Sequence, residues 1–223
     1  MDSTDLQSNK HIISISKILE NIDEKVEGNL ICDITPYNFI YNDNLAKIKN
    51  LQYICKNKSK ICEIGVNACH SLLLMVLVNP TAEYLLFDLN NHKYTEPCLD
   101  YIRTEFPNTK INIIYGNSVK TIYNYIKNNK NELNTYDFCH IDGGHTKDIF
   151  EHDFNNIKYL INNNKPVIFD DYNMNEIRQF INEKINNNEI IKYNENGDEK
   201  IDEKINIANN IIDTNLHFIY TYT

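Results

Sequence analysis

Five short apolar runs each stop at residues that can do chemistry. After Lys60–Ile64 comes Gly65-Val66-Asn67-Ala68-Cys69-His70-Ser71, with Glu63 just inside the run. Asp88 ends a second run, and Asn90 and His92 follow it. Gly116-Asn117-Ser118 closes a third, Asp142-Gly143-Gly144-His145 a fourth, and Asp170-Asp171 a fifth. Asp142, Asp170 and Asp171 are three carboxylates at neighbouring tips. Together they repel unless a proton or cation intervenes, and oxygen-only ligands suit a hard ion such as Mg²⁺. His145 lies three residues beyond Asp142 and is a candidate general base, because imidazole titrates near neutrality. The plainer alternative is that Asp142 and Asp171 each cap a local turn or helix.

Asp88 sits where a carboxylate can hold a ribose diol through two charged hydrogen bonds; a simple helix-capping Asp is the alternative. Gly65 opens a turn into a helix, which lets backbone N–H groups face a ligand. The full G-x-G-x-x-G pattern is absent, so a dinucleotide pyrophosphate is disfavoured, and a plain tight turn stays open. His70, His92, His140 and His152 give weaker signals. His140 reads as a satisfied core histidine, and His152 with Asp153 as helix surface.

The elements that must position these residues alternate. Helical spacing is read over residues 11–22 and 44–56, the second with Asn44 as N-cap. A strand at 60–65 precedes an all-apolar helix over 70–78. Then follow strand 84–89, helix 96–105, strand 111–115, helix 118–128, strand 136–142, helix 147–161, strand 167–171, helix 175–186 and strands at 189–193 and 215–222. The short strands are continuously apolar, which predicts a parallel sheet covered by helices on both faces. In such a sheet ligands bind beyond the carboxyl ends of the strands. The charged stretch 194–205 reads as a solvated loop.

Composition bounds the partners. The chain has 223 residues and a net charge of −9. That acidity disfavours nucleic acid, which needs a basic footprint, and an anionic membrane surface. Met1–Lys10 is polar and does not read as a signal peptide. The longest apolar run, Leu72–Val78, is far short of the ~20 residues that span a bilayer. The expectation is a soluble, cytoplasmic protein. The six Cys form no C-x-x-C pair and read as buried free thiols. The 37 Asn, 34 Ile and 20 Lys, against 2 Arg, point to an A/T-rich genome, of a large DNA virus, a parasite or certain bacteria, rather than to chemistry. With only 6 Gly, those present mark positions where the backbone needs them: Gly28, Gly65, Gly116, Gly143, Gly144 and Gly197.

These motifs resemble class I S-adenosylmethionine-dependent methyltransferases, and within them the metal-dependent sugar O-methyltransferases related to macrocin O-methyltransferase. E-I-G-V-N-A-C-H-S at 63–71 is similar to the loop that cradles the methionine part of the cofactor. F-D-L-N-N-H-K-Y at 87–94 resembles the segment whose acid binds the ribose. Gly116-Asn117-Ser118 looks like the turn near the adenine. H-I-D-G-G-H at 140–145 resembles the motif whose Asp binds metal and whose His is the base, and V-I-F-D-D-Y at 167–172 the strand with the remaining ligands. Cys69 stands where the family has a second Gly, Asn117 where it often has Asp, and Lys147 where it often has Tyr.

The resemblance implies a Rossmann-like, doubly wound, mostly parallel seven-stranded sheet. It implies a methyltransferase domain over 58–223, preceded by a helical extension over 1–57 that serves as substrate lid or interface. Cofactor contacts would fall to Glu63, Gly65, Asn67, Ala68, Ser71, Asp88, Asn117, Ser118 and Asp142. Asp142, Asp170 and Asp171 would hold Mg²⁺ or another divalent cation, and His145 with Asp142 would carry catalysis. The expected reaction is transfer of the methyl group of S-adenosyl-L-methionine to a hydroxyl of a small molecule, most of all a sugar or glycan. A homo-oligomer is compatible with the N-terminal helices. The alternatives are a non-catalytic cofactor- or nucleotide-binding module on the same fold and an NAD-dependent oxidoreductase.

Overall fold

The computed structural model describes residues 3–28, 30–31, 35–37, 39–193, 214 and 216–223. Helices α1 (Ser3–Gln7), α2 (Lys10–Glu20) and α3 (Leu45–Cys55) precede an alternating series. It runs β1 (Lys60–Ile64), α4 (His70–Val78), β2 (Glu83–Asp88), α5 (Thr95–Glu105), β3 (Lys110–Tyr115), α6 (Ser118–Asn128), β4 (Phe138–Ile141), α7 (Lys147–Ile157), β5 (Val167–Asp170) and α8 (Asn175–Asn186). Strands β6 (Ile190–Lys192) and β7 (His217–Tyr222) complete it.

All seven strands form one sheet in the order β3-β2-β1-β4-β5-β7-β6. Strands β1 to β5 are parallel, and β7 runs antiparallel between β5 and β6. The expected doubly wound sheet is therefore present. Period-two alternation divides the core in two. Tyr84 and Leu86 of β2 face a cluster built with α2, α3, α4 and α5; Leu85 and Phe87 face one built with α6, α7 and α8. Helix α4 is buried nearly all round because HSLLLMVLV has no polar stripe.

Some expectations shift. Helix α1 lies in the polar N-terminal stretch, where no helix is expected from the sequence. Helix α7 ends at Ile157, and Ile161 instead bridges to Tyr136. Asn44 does not cap α3. A 3₁₀ turn, Asn42–Asn44, leads into that helix, and the Asn44 amide reaches back to the carbonyl of Leu30 at 2.8 Å. Asp153 is fully buried against the second core cluster rather than on the helix surface. Cys55, Cys62, Cys69, Cys98 and Cys139 are free and buried. Cys32, Gly197 and the charged stretch 194–205 lie outside the described residues. Among the described residues no helix is long and apolar enough to cross a membrane.

Candidate active site

Strand register brings the chemistry-bearing tips to one level. Ile64 pairs with Phe87 on one side and Ile141 on the other, and Ile141 pairs with Phe169. Gly65, Asp88, Asp142 and Asp170 are the next residues along, so they line up around the point where strand order reverses, between β1 and β4. Backbone bonds lace these ends together: Gly65 N–H donates to Phe87 O at 2.8 Å, and Asp142 N–H to Ile64 O at 2.9 Å. A cleft of about 310 Å³ opens there. Its wall includes Gly65, Asn67, Asp88, Asn117, Ser118, Asp142 and His145, with Ile64, Phe87 and Ile149 as apolar lining.

Gly65 turns the chain at φ +85°. Cys69 takes φ +61° at the start of α4. This is the left-handed conformation, which costs a residue with a side chain roughly 1–2 kcal/mol. The loop between β1 and α4 is organised by Asp88. One Asp88 oxygen accepts the N–H groups of Val66 at 2.8 Å and Asn67 at 3.0 Å, and the other that of Asn90 at 2.7 Å. Asn67 Nδ2 donates to the carbonyls of Glu27 at 2.6 Å and Gly28 at 3.0 Å, which ties the N-terminal segment onto this loop. Glu24 completes the tie by accepting from Lys93 N–H at 2.7 Å while its other oxygen pairs with His92. Asn117 caps α6, accepting from Val119 N–H at 3.0 Å. Glu63, Ala68 and Ser71 are buried behind the cleft and do not line it, so their expected cofactor contacts are absent from its wall.

The acidic tips split into two groups that share Asp142. His140, Asp142 and Asp170 form the inner one; Asp142, His145 and Asp171 form the outer one. The expected set of Asp142, Asp170 and Asp171 does not converge as a group of its own, because Asp170 is turned inward. Its Oδ2 meets Lys47 Nζ of α3 at 2.6 Å and lies 3.7 Å from His140 Nε2. Its Oδ1 accepts the N–H of Asp171 at 2.9 Å. His140 Nδ1 in turn pairs with Glu63 Oε1 at 3.0 Å. On the cleft side His145 Nε2 meets Asp171 Oδ2 at 2.7 Å.

Electrostatics follow from these partners. Burial works against charge on His140, but hydrogen bonds to Asp170 and Glu63 raise it to about 10. Burial opposes the Asp170 carboxylate too, and His140 and Lys47 outweigh it, holding Asp170 well below the usual carboxylate range. Burial and the Asp170 charge push Asp142 well above that range. The hydrogen bond to Asp171 raises His145. Burial raises Asp153 to about 6, with Ser118 opposing. Its carboxyl backs onto Gly143, where a Cβ would lie 3.0 Å from Oδ2.

Sequence reasoning missed Lys47 and the Glu63–His140 pair. Lys47 belongs to an unremarkable helical pattern remote from the motifs. Glu63 and His140 share a signal that could have been used: polar residues at matching positions of two adjacent apolar strands, which β1–β4 pairing sets side by side.

A family model described as a methyltransferase domain matches residues 62–172. No curated protein matches the chain. Among solved structures, the O-methyltransferase from Bacillus cereus in complex with SAH is similar at a TM-score of 0.60 and 16% identity, over 82% of this chain and 82% of that one. The O-methyltransferase TomG from Streptomyces achromogenes, involved in tomaymycin synthesis and solved with SAM, is similar at 0.61 and 10% identity, over 97% and 91%. At these identities the likeness is one of fold. The matched domain contains the Gly65 loop, Asp88, Asp142 and His145, and on domain and fold together the chain belongs to the class I S-adenosylmethionine-dependent methyltransferases.

Proposed function

We propose that the chain transfers the methyl group of S-adenosylmethionine to a hydroxyl of a small polar acceptor, a sugar or glycan in the first instance. The observation that carries this reading is His145, paired with Asp171 and set in the wall of the cleft that the Gly65 loop and Asp88 also line. The cofactor brings an activated sulfonium methyl; the protein must align a hydroxyl with it and take up the proton. With His145 Nε2–H donated to Asp171, Nδ1 is the nitrogen left to receive that proton. Asp171 fixes the tautomer and stabilises the imidazolium as it forms. The cofactor's adenosine end would lie along Asp88, Asn117 and Ser118. The sugar preference rests on the motif at 140–145.

The residues present do not fit an oxygen-only Mg²⁺ on Asp142, Asp170 and Asp171. Both Asp170 oxygens are engaged, one by the Asp171 N–H and one by Lys47. Each group of three that does converge includes a histidine, whereas Mg²⁺ takes near-ideal octahedral oxygen coordination. Activation of the hydroxyl therefore falls to His145.

Two measurements test the reading. S-adenosylhomocysteine should raise the melting temperature and NAD should not, since a ligand that binds only the folded state stabilises it by mass action. Labelled S-adenosylmethionine should then mark acceptors in a panel of sugars, nucleotide-sugars and catechols. Stabilisation by NAD alone would indicate an oxidoreductase; cofactor binding with no labelling of any hydroxyl compound would indicate a binding module.

A further inference from the structure

We propose that Lys47 serves beside His140 as a resident cation of the acidic cluster, supplied by α3 from outside the matched domain, and that it holds the catalytic base in place without a divalent metal. The inference rests on the methyltransferase reading above.

The Lys47 side chain is 14% exposed and Asp170 2%, so the 2.6 Å pair is largely shielded from water. Such a pair is strongly coupled, and removing one partner leaves an uncompensated buried charge. Lys47 also faces Asp142 and Asp171, which help to keep its ammonium charged against the cost of burial. A metal bound through Asp170 would need the oxygen that Lys47 occupies, so the two cations exclude each other.

The consequence reaches His145 through one chain of contacts. With Oδ2 pinned by Lys47, Asp170 presents Oδ1 to the Asp171 N–H at 2.9 Å. That bond supports Asp171 at φ +56°, an uncommon conformation for a residue with a side chain. Held there, Asp171 places Oδ2 on His145 Nε2. Lys47 is therefore a positioning residue: it acts through Asp170 and Asp171 and does not itself line the cleft.

Mn²⁺ is the probe, counted by the paramagnetic signal of the free ion during titration of wild type, Lys47→Met and Lys47→Arg. Met keeps the apolar stem and removes the charge. The wild type should bind Mn²⁺ no tighter than millimolar. Lys47→Met should bind at least tenfold tighter, because an Asp170 oxygen is released, and Lys47→Arg should restore the wild-type behaviour. Equal affinity in wild type and Lys47→Met, or tighter binding by wild type, overturns the proposal. If Lys47→Met does not fold, the wild type decides alone: micromolar Mn²⁺ binding overturns the proposal and its absence supports it. Stabilisation by S-adenosylhomocysteine, measured on the same samples, shows separately whether the methyltransferase reading stands.

Discussion

A Cβ placed on Gly65 would collide with the carbonyl oxygen of Asp142. The first turn of the loop after β1 and the strand end carrying the acidic cluster are thus in direct backbone contact. Gly65→Ala must push β1 and β4 apart or break the turn, and the φ of +85° adds strain for any other residue. The expected outcome is a loss of about 2 kcal/mol or more and disappearance of the melting-temperature shift caused by S-adenosylhomocysteine. A variant that kept the full shift would show that this contact is dispensable.

Asp88 accepts three backbone N–H groups and is the internal brace of the loop. Hydrogen bonds to a charged group contribute about 1.5–3 kcal/mol each. Asp88→Ala should weaken S-adenosylhomocysteine binding by roughly 10- to 100-fold in calorimetry. Undiminished affinity would remove Asp88 from the cofactor site.

His145 must be neutral to accept a proton. Its pKa is raised above 6.5 by the hydrogen bond to Asp171. Activity should therefore rise with pH through a midpoint above 6.5. Asp171→Asn should move that midpoint down and lower the rate. His145→Ala should cut turnover about 10²- to 10⁴-fold while leaving cofactor binding intact. Normal turnover by His145→Ala would disprove the base assignment.

Burial raises Asp153 to about 6, above its unfolded value of 3.8. The folded state then binds the proton more tightly than the unfolded one. This contribution is fully favourable below pH ~4 and is lost as pH rises through ~6. Asp153→Asn should flatten the fall in melting temperature between about pH 4 and pH 6.5. A slope unchanged by the substitution would place the linkage elsewhere.

Much of the site was legible because it hangs from strand ends. Apolar runs announce β1 to β5, and Gly65, Asp88, Asp142 and Asp170 follow at once. What the sequence conceals is where each carboxylate turns. Asp170 and Asp171 are adjacent, yet one points to Lys47 and the other to His145, a division set by the backbone conformation at Asp171 and by a lysine on a distant helix. Burial of Asp153 was hidden for a similar reason: α7 is amphipathic, and one polar residue on its inner face looks the same in sequence as one at its edge. Asn44 failed as a cap because the helical turn began two residues earlier, freeing its amide for Leu30.

Strand β7 lies between β5 and β6, so β6 has no neighbour in the sheet until residues 217–222 have arrived. The order of assembly thus differs from the order of synthesis. On the ribosome, β1 to β5 can pair as they emerge, while Ile190–Lys192 must wait for a segment more than twenty residues downstream. Contacts that close late and over long separations slow folding. Nascent chains halted before residue 217 should therefore present the β5 edge unpaired, open to chaperones or to other chains, although every residue lining the cleft beside Gly65 and Asp88 has already been made.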